Sequence, residues 1–229
     1  MRCLVTAGPT FEPLDQVRLL TNRSTGRLGT ELARHLASRG HEVTLLRGAL
    51  ASWPASDAHR AGVELLEFTT TADLRSRFES LAGPGVNAIF HAAAVSDFAF
   101  GRILQKQPDG ELNAVQAGKL DTRGGALWAQ LVPTPKLIAG LHDWFPGAWL
   151  VGWKFEVEGD RTVALARALA QIRECRTHAC VANGPAYGAG FGLVRAGRDA
   201  LHCPDPPALF VALTEAWAAS HNAGERRGS

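Results

Sequence analysis

The chain has 229 residues, 46% of them hydrophobic, and a formal charge of +2 at pH 7. That length and composition suit one α/β domain with a sizeable core, and so small a charge gives no reason to expect a nucleic-acid or membrane partner. No apolar run approaches the ~20 residues needed to span a bilayer.

The N-terminus runs straight into a strand, so no signal peptide is expected. Cys3, Cys175, Cys180 and Cys203 are scattered without a C-x-x-C pair. Strand or helix-end thiols in a reducing, cytoplasmic setting fit that pattern better than a zinc site or a disulfide framework. The first strand begins at Cys3 and gives way at Gly8-Pro9-Thr10 to a long polar loop carrying Glu12, Asp15, Arg18, Asn22 and Arg23. Ser24, Thr25 and Gly26 then occupy the N-cap region of a helix, with Arg27 just inside. The helix is marked by Leu28, Leu32 and Leu36 at four-residue spacing beside Ala33 and Ala37. A strand feeding a helix through a Gly-bearing loop presents backbone N–H groups and a positive helix end to an anion. The stretch therefore reads as a phosphate-binding loop. A dinucleotide fingerprint needs Gly-x-Gly-x-x-Gly straight after the strand and an acidic residue closing the second strand; here the second strand, 41–46, ends in Arg47-Gly48.

Residues 49–59 read as a connecting loop, 63–68 as strand three, and 72–81 as a helix with Thr71 as a possible N-cap. Residues 87–95 form a fourth strand, apolar on both faces like a buried parallel strand, in which His91 reads as a core histidine. The pattern breaks at 96–132, a polar, Gly-rich insertion holding Asp97, Lys106, Lys119, Asp121 and Arg123, whose end at 127–131 alternates like an edge strand or hairpin arm. Structureless loops of this length are uncommon unless functional, which suggests a lid or an intersubunit arm. Then come a helix at 135–144, a fifth strand at 149–155, a helix at 162–173, a sixth strand at 179–182, a hairpin from 192–195 and 200–203, and a closing helix at 208–219. The sum is one α/β domain, 1–221, a Rossmann-like doubly wound parallel sheet with a β insertion after strand four and a C-terminal hairpin, followed by a disordered tail at 222–229. In that order strands one and four are neighbours at the switch point, so the loop after strand one and the insertion converge on one crevice. The ends of strands five (Trp153, Lys154, Glu156) and six (Asn183) open onto the same edge.

These residues carry a specific resemblance. Thr6-Ala7-Gly8-Pro9-Thr10, Glu12-Pro13-Leu14-Asp15-Gln16-Val17-Arg18, Asn22-Arg23-Ser24-Thr25-Gly26 and Gly29 are followed by Ala92-Ala93-Ala94-Val95-Ser96-Asp97-Phe98, Gly118-Lys119-Leu120, Thr134-Pro135, Gly152-Trp153-Lys154-Phe155-Glu156 and Val181-Ala182-Asn183. In this order, reaching to about Val194, the chain resembles the phosphopantothenoylcysteine synthetases, in their stand-alone form without a flavin domain. The resemblance implies a ligase that uses CTP or ATP with Mg²⁺ and no flavin. The carboxylate of 4′-phosphopantothenate takes the nucleotidyl group, and the amine of L-cysteine then displaces the nucleoside monophosphate. It also implies a homodimer in which the insertion crosses the interface.

Two anionic reactants approach only where fixed cations or a metal offset their repulsion. Lys119 is accordingly assigned to the developing phosphoryl charge, Asn22 to holding the acyl-nucleotide, and Arg18 to substrate phosphate or to positioning Asn22. Ser24, Thr25 and Gly26, with Gly8 and Thr10, would cradle phosphate. Ala93 and Ala94 leave room for the nucleotide, and Asp97 would meet its ribose, base or metal. Phe98 and Trp153 would be walls, Lys154 a second cation and Asn183 a base or ribose contact. Three departures from the family pattern stand out: a single Lys119 where a lysine run is common, no Asp in the short segment after Asn183, and Trp153 in place of Phe. The thinned lysine run also suits a nucleotide-binding relative that has lost turnover. An NAD(P)-dependent reductase needs Tyr-x-x-x-Lys, but the one tyrosine, Tyr187, is followed four residues on by Phe191.

Overall fold

Every second residue of the first strand faces the opposite layer, and this alternation organises the molecule. The computed structural model describes residues 1–107, 110–115, 117–121 and 123–225. In chain order the elements are β1 (Arg2–Ala7), β2 (Phe11–Pro13), β3 (Leu19–Thr21), α1 (Arg27–Ser38), β4 (Glu42–Gly48), α2 (Ser56–Arg60), β5 (Glu64–Phe68), α3 (Thr71–Leu81) and β6 (Ala88–His91). The insertion supplies β7 (Phe98–Lys106), β8 (Leu112–Ala114) and β9 (Leu127–Pro133). The second half adds α4 (Leu137–Trp144), β10 (Trp149–Phe155), α5 (Arg161–Cys175), β11 (Ala179–Asn183), β12 (Phe191–Val194), β13 (Leu201–Cys203) and α6 (Pro206–Glu225).

The main sheet has eight strands in the order β13-β12-β11-β10-β6-β1-β4-β5, parallel from β5 to β11 and antiparallel for the terminal hairpin. On one face Val5, Leu45 and Phe90 pack with Leu32 and Leu36 of α1 and Leu209, Leu213 and Trp217 of α6. On the other, Leu4, Leu46, Ile89 and Leu150 pack with Leu74 and Phe78 of α3 and Leu141 of α4. Burying such side chains contributes about 1.5–3 kcal/mol each, and this two-sided core makes β1 and β6 rigid where the crevice opens. All four cysteines are buried and unpaired, and burial pushes the thiols of Cys3 and Cys180 up to about 12, which leaves them unreactive. No described helix is long and apolar enough to cross a membrane.

Several expected boundaries move. The loop after β1 contains the β2–β3 hairpin, and the expected 49–59 loop contains the short α2. The cap of α3 is Thr70, whose side chain accepts from Asp73 N–H; Thr71 is already helical and its N–H donates to Glu12. The fourth strand stops at His91 instead of continuing to 95, because the next amides turn to the β1 loop: Ala93 N–H donates to Thr6 Oγ1 at 3.0 Å and Ala94 N–H to Gly8 O at 3.0 Å. The insertion is not a loop ending in one arm but a three-stranded antiparallel sheet, β8-β7-β9. Of the tail expected to be disordered from 222, residues 222–225 belong to α6, and 226–229 lie outside the described residues.

Candidate active site

At the carboxyl ends of β1, β6, β10 and β11 lies a crevice of about 860 Å³, at the switch point where ligands enter open α/β sheets. Its floor is backbone. Gly26 caps α1 with a φ of 77° and has no side chain to cap the helix; Arg27 N–H donates to Thr25 Oγ1 at 3.3 Å, and the rest of the first turn faces the opening. Two glycines are required here by geometry. Gly8 (φ 82°) and Gly26 sit in the left-handed region, and a Cβ on them would come within 2.6 and 2.9 Å of the Ala51 Cβ. Gly29, one turn on, lies so near β1 that a Cβ would meet Thr6 O at 2.7 Å.

Asn22 reaches across from the other side. Its side-chain nitrogen donates to Ala94 O at 3.3 Å and Val95 O at 3.1 Å, bridging the loop after β3 to the end of β6. With both amide hydrogens turned to carbonyls, Oδ1 is the part of the side chain left for a ligand. Ser24, Thr25, Ala93, Ala94, Asp97, Trp153 and Asn183 line the same crevice, as the sequence led us to expect. Trp153 also packs against the core beneath, and its indole N–H is buried with no hydrogen-bond partner among the described residues.

Other expected residues are elsewhere. Gly8 and Thr10 lie beneath the lining as scaffolding. Thr10 is fully buried, its Oγ1 accepts from Ser96 N–H at 2.8 Å and donates to Ser96 Oγ at 3.0 Å, and its own N–H donates to Ala94 O. Phe98 opens β7 opposite Pro133, is 46% exposed and is not a wall of the crevice. Lys154, between the lining residues Trp153 and Phe155, falls by strand alternation on the other face, where its Nζ lies 3.5 Å from the buried Glu156 carboxylate that also binds Arg167.

Arg18 is likewise engaged. Its Nε and Nη2 donate to Asp15 and Nη2 also to Leu120 O at 2.7 Å, while Leu120 N–H returns to Asp15 at 3.0 Å. These five-way contacts of an enclosed carboxylate, with the Arg18 guanidinium foremost, hold Asp15 well below the usual carboxylate range. Gln16 N–H donates to Gly118 O, so Lys119 is pinned at both neighbours to the β1 loop, yet it does not line the crevice. The two polar excursions do meet, therefore, but Asn22 and Lys119 do not share one wall.

His91 is the core histidine it was read to be. It is 6% exposed, its Nδ1 is 2.9 Å from Thr6 Oγ1, and burial holds it at about 4, which keeps the ring neutral. Residues not singled out beforehand also line the crevice: Arg27, Glu31, Phe155, Phe191 and Pro206, with Arg23 beside Asn22. Arg27 and Glu31 carried a usable signal in their four-residue spacing at a helix start. Phe191 and Pro206 carried none, since they arrive from the far end of the chain. Among the described residues no group of three or more His, Cys, Asp or Glu could hold a metal. Asp97 and Glu31 are the carboxylates of the lining, and Glu31 is bound by Arg27 Nε at 2.9 Å.

Comparison with known proteins supplies relatives in sequence and in fold. A family model described as the DNA/pantothenate metabolism flavoprotein C-terminal domain matches residues 1–196. The coenzyme A biosynthesis bifunctional protein CoaBC of Thermococcus kodakarensis is 33% identical over 201 residues, covering 86% of this chain and 45% of that protein. The protein of the same name from Mycolicibacterium smegmatis is 44% identical over 98 residues, covering 43% of this chain and 22% of its own length. The chain thus spans less than half the length of these relatives. A crystal structure of the DNA/pantothenate metabolism flavoprotein from Streptococcus pneumoniae superposes with a TM-score of 0.81 at 25% identity, covering 96% of this chain and all of that one.

Proposed function

The chain belongs to the family of the DNA/pantothenate metabolism flavoprotein C-terminal domain, and from that premise we propose that it joins 4′-phosphopantothenate to L-cysteine at the expense of a nucleoside triphosphate. The observation that carries the reading is the Asn22 bridge: an amide strapped to the carbonyls of Ala94 and Val95 beside a glycine-capped helix end, at the switch point of the sheet. The relatives bear the name of coenzyme A biosynthesis, and the crevice has room for a nucleotide together with an acyl chain.

In the first step a carboxylate oxygen of 4′-phosphopantothenate forms a bond to the α-phosphorus and pyrophosphate leaves. In the second the cysteine amine attacks the acyl carbon, the C–O bond to the nucleotide breaks, and a proton leaves the nitrogen. The backbone at 24–26 and the α1 terminus would hold phosphate oxygens, Asn22 Oδ1 would orient the acyl-nucleotide, and Trp153, Phe155 and Asn183 would bound the base or the pantetheine arm. Lys119 would supply its charge from the rim or from a second subunit. Mg²⁺ would neutralise the triphosphate when bound. Asp97 is the carboxylate free to share in holding it, with most ligands coming from the phosphates, as is usual for this ion. CTP and ATP are both compatible with the lining. A homodimer completes the reading, because Trp128 and Leu131 of the insertion are 48% and 49% exposed.

Incubating the protein with 4′-phosphopantothenate, L-cysteine, Mg²⁺ and each nucleoside triphosphate in turn tests this directly. Pyrophosphate release that requires phosphopantothenate is the expected result. Nucleotide binding with no turnover for any of them would establish a non-catalytic relative instead.

A further inference from the structure

The loop between β4 and α2 lies outside the crevice, yet it holds the stretch from Thr25 to Arg27 that lines it. Arg47, at the end of β4, has a side chain 12% exposed, and its Nη2 donates to the carbonyls of Ala51 and Trp53, the latter at 2.9 Å. Trp53 N–H in turn donates to Thr25 O at 2.9 Å. The Ala51 methyl fills the space beneath Gly8 and Gly26. Where a dinucleotide fold would close its second strand with an acidic residue for ribose, this chain has a cation that braces a loop under the anion-binding turn.

The brace ends at Arg27. Its guanidinium carbon lies 4.7 Å from the centre of the Trp53 ring, over its face, and its Nε donates to Glu31 at 2.9 Å. One face and one edge of the guanidinium are thus fixed. The two terminal nitrogens have no hydrogen-bond partner among the described residues, and Arg27 lines the crevice beside Gly26. A planar fork with its outer edge open suits two oxygens of one phosphate. We propose that Arg27 is a further anion-binding residue of the crevice, contacting the polyphosphate of the nucleotide, and that Trp53 and Arg47 are the positioning residues that aim it. This rests on the nucleotide reading of the crevice and adds to it the group that meets the phosphates from the α1 side.

The test uses the full chain, titrated calorimetrically with inorganic tripolyphosphate and, separately, with the uncharged nucleosides cytidine and adenosine. Arg27→Ala and Trp53→Leu are each expected to weaken tripolyphosphate binding about tenfold, and the double variant no further than either alone. Trp53→Phe retains an aromatic face and the backbone N–H, and is expected to stay within about twofold of the wild type. Arg47→Lys keeps the charge but not the two-carbonyl grip, and is expected to fall between them. Losses that multiply in the double variant, or a Trp53→Phe as damaging as Trp53→Leu, would overturn the positioning role. Nucleoside binding that falls in parallel with tripolyphosphate would also overturn it, by showing a loosened loop rather than a misaimed cation. Wild-type protein that ignores tripolyphosphate would overturn the anion site itself. Wild-type protein that binds tripolyphosphate but releases no pyrophosphate would refute the ligase reading and leave this one standing.

Discussion

Two polar excursions leave the same edge of the sheet, and the fold anchors them differently. The first, between β1 and α1, is drawn into the body: Glu12 is 8% exposed and receives Thr71 N–H, Thr10 is fully buried, and the Asp15 side chain is 1% exposed. The second, β7 to β9, stands out as a small antiparallel sheet with Phe98, Leu112, Trp128 and Leu131 all close to half exposed. The first excursion hides polar groups at its roots while Val17, Leu19 and Leu20 stay exposed at its tip, and the second shows apolar groups along its strands. Polar richness in a loop is thus no measure of how much of it meets a ligand, because buried backbone must also find partners.

The sharpest way to separate scaffold from site within the first excursion is Asn22→Asp. It exchanges a donor aimed at two carbonyls for a carboxylate facing the same oxygens, while keeping an acceptor on the crevice side. If the activity proposed above holds, the cysteine step is expected to fall about a hundredfold, roughly 2.7 kcal/mol, and pyrophosphate release to fall less. Single-turnover assays of the two half-reactions would show it, and equal losses in both would remove the role assigned to Asn22 Oδ1.

Thr10→Val breaks the comparison from the scaffold side. It leaves Ser96 N–H buried without its acceptor and removes one of the ties between the two excursions. A cost of about 1–3 kcal/mol is expected, read as a lower midpoint in urea with an unchanged m-value. A stability loss of a few tenths would mean that water replaces the hydroxyl and that the excursions are not coupled there.

The same contrast shows how much the sequence could tell. Hydrophobic periodicity revealed all six parallel strands and the terminal hairpin, because core-facing alternation is written locally at Leu4, Val5, Leu45 and Leu46, and their order followed from the doubly wound topology. The crevice was legible where small residues and caps recur at short range, as in Ser24, Thr25, Gly26, Ala93 and Ala94. Arg18, Lys154 and Phe98 were misplaced for one reason. Whether a charged or aromatic side chain faces a ligand depends on partners distant in sequence, here Leu120 O for Arg18, Arg167 beside Glu156 for Lys154, and Pro133 for Phe98. The nine-residue β7 was missed because its pairing with β9 exposes much of both strands, so neither carries a full apolar stripe.

Acid should take the two regions apart in separate windows. His91 is neutral and buried at about 4, below the unfolded value of about 6.5, so the unfolded chain binds more protons between them. Stability from that wall is complete above about pH 6.5 and declines toward pH 4, by at most about 1.4 kcal/mol per pH unit; His35, His41 and His178, also lowered by burial, act in the same direction. Asp15 is depressed, so its contribution is present above the unfolded value of about 3.9 and is lost only as pH falls below it. Hydrogen exchange followed from pH 7 to 4 should therefore show opening near β6 while Leu120 N–H, bound to Asp15, stays protected. Early loss at Leu120 would place the weak point in the tether instead.

The smallest effect on the single chain, and the most informative about the arm, is expected from the double substitution of Trp128 and Leu131 by serine. Both are about half exposed on β9, which among the described strands pairs only with β7. Surface substitutions away from a core usually change stability by no more than about 0.5 kcal/mol. If the arm is free in solution, unfolding and light scattering should both be almost unchanged. If β9 is buried against a second copy, as the proposed homodimer requires, scattering should fall to the 24.5 kDa monomer and the unfolding midpoint should lose its dependence on protein concentration. Pyrophosphate release measured on the same variant then locates Lys119. Activity that disappears with the dimer puts the lysine in its partner's crevice, whereas activity that survives in the monomer confines its action to the rim of its own.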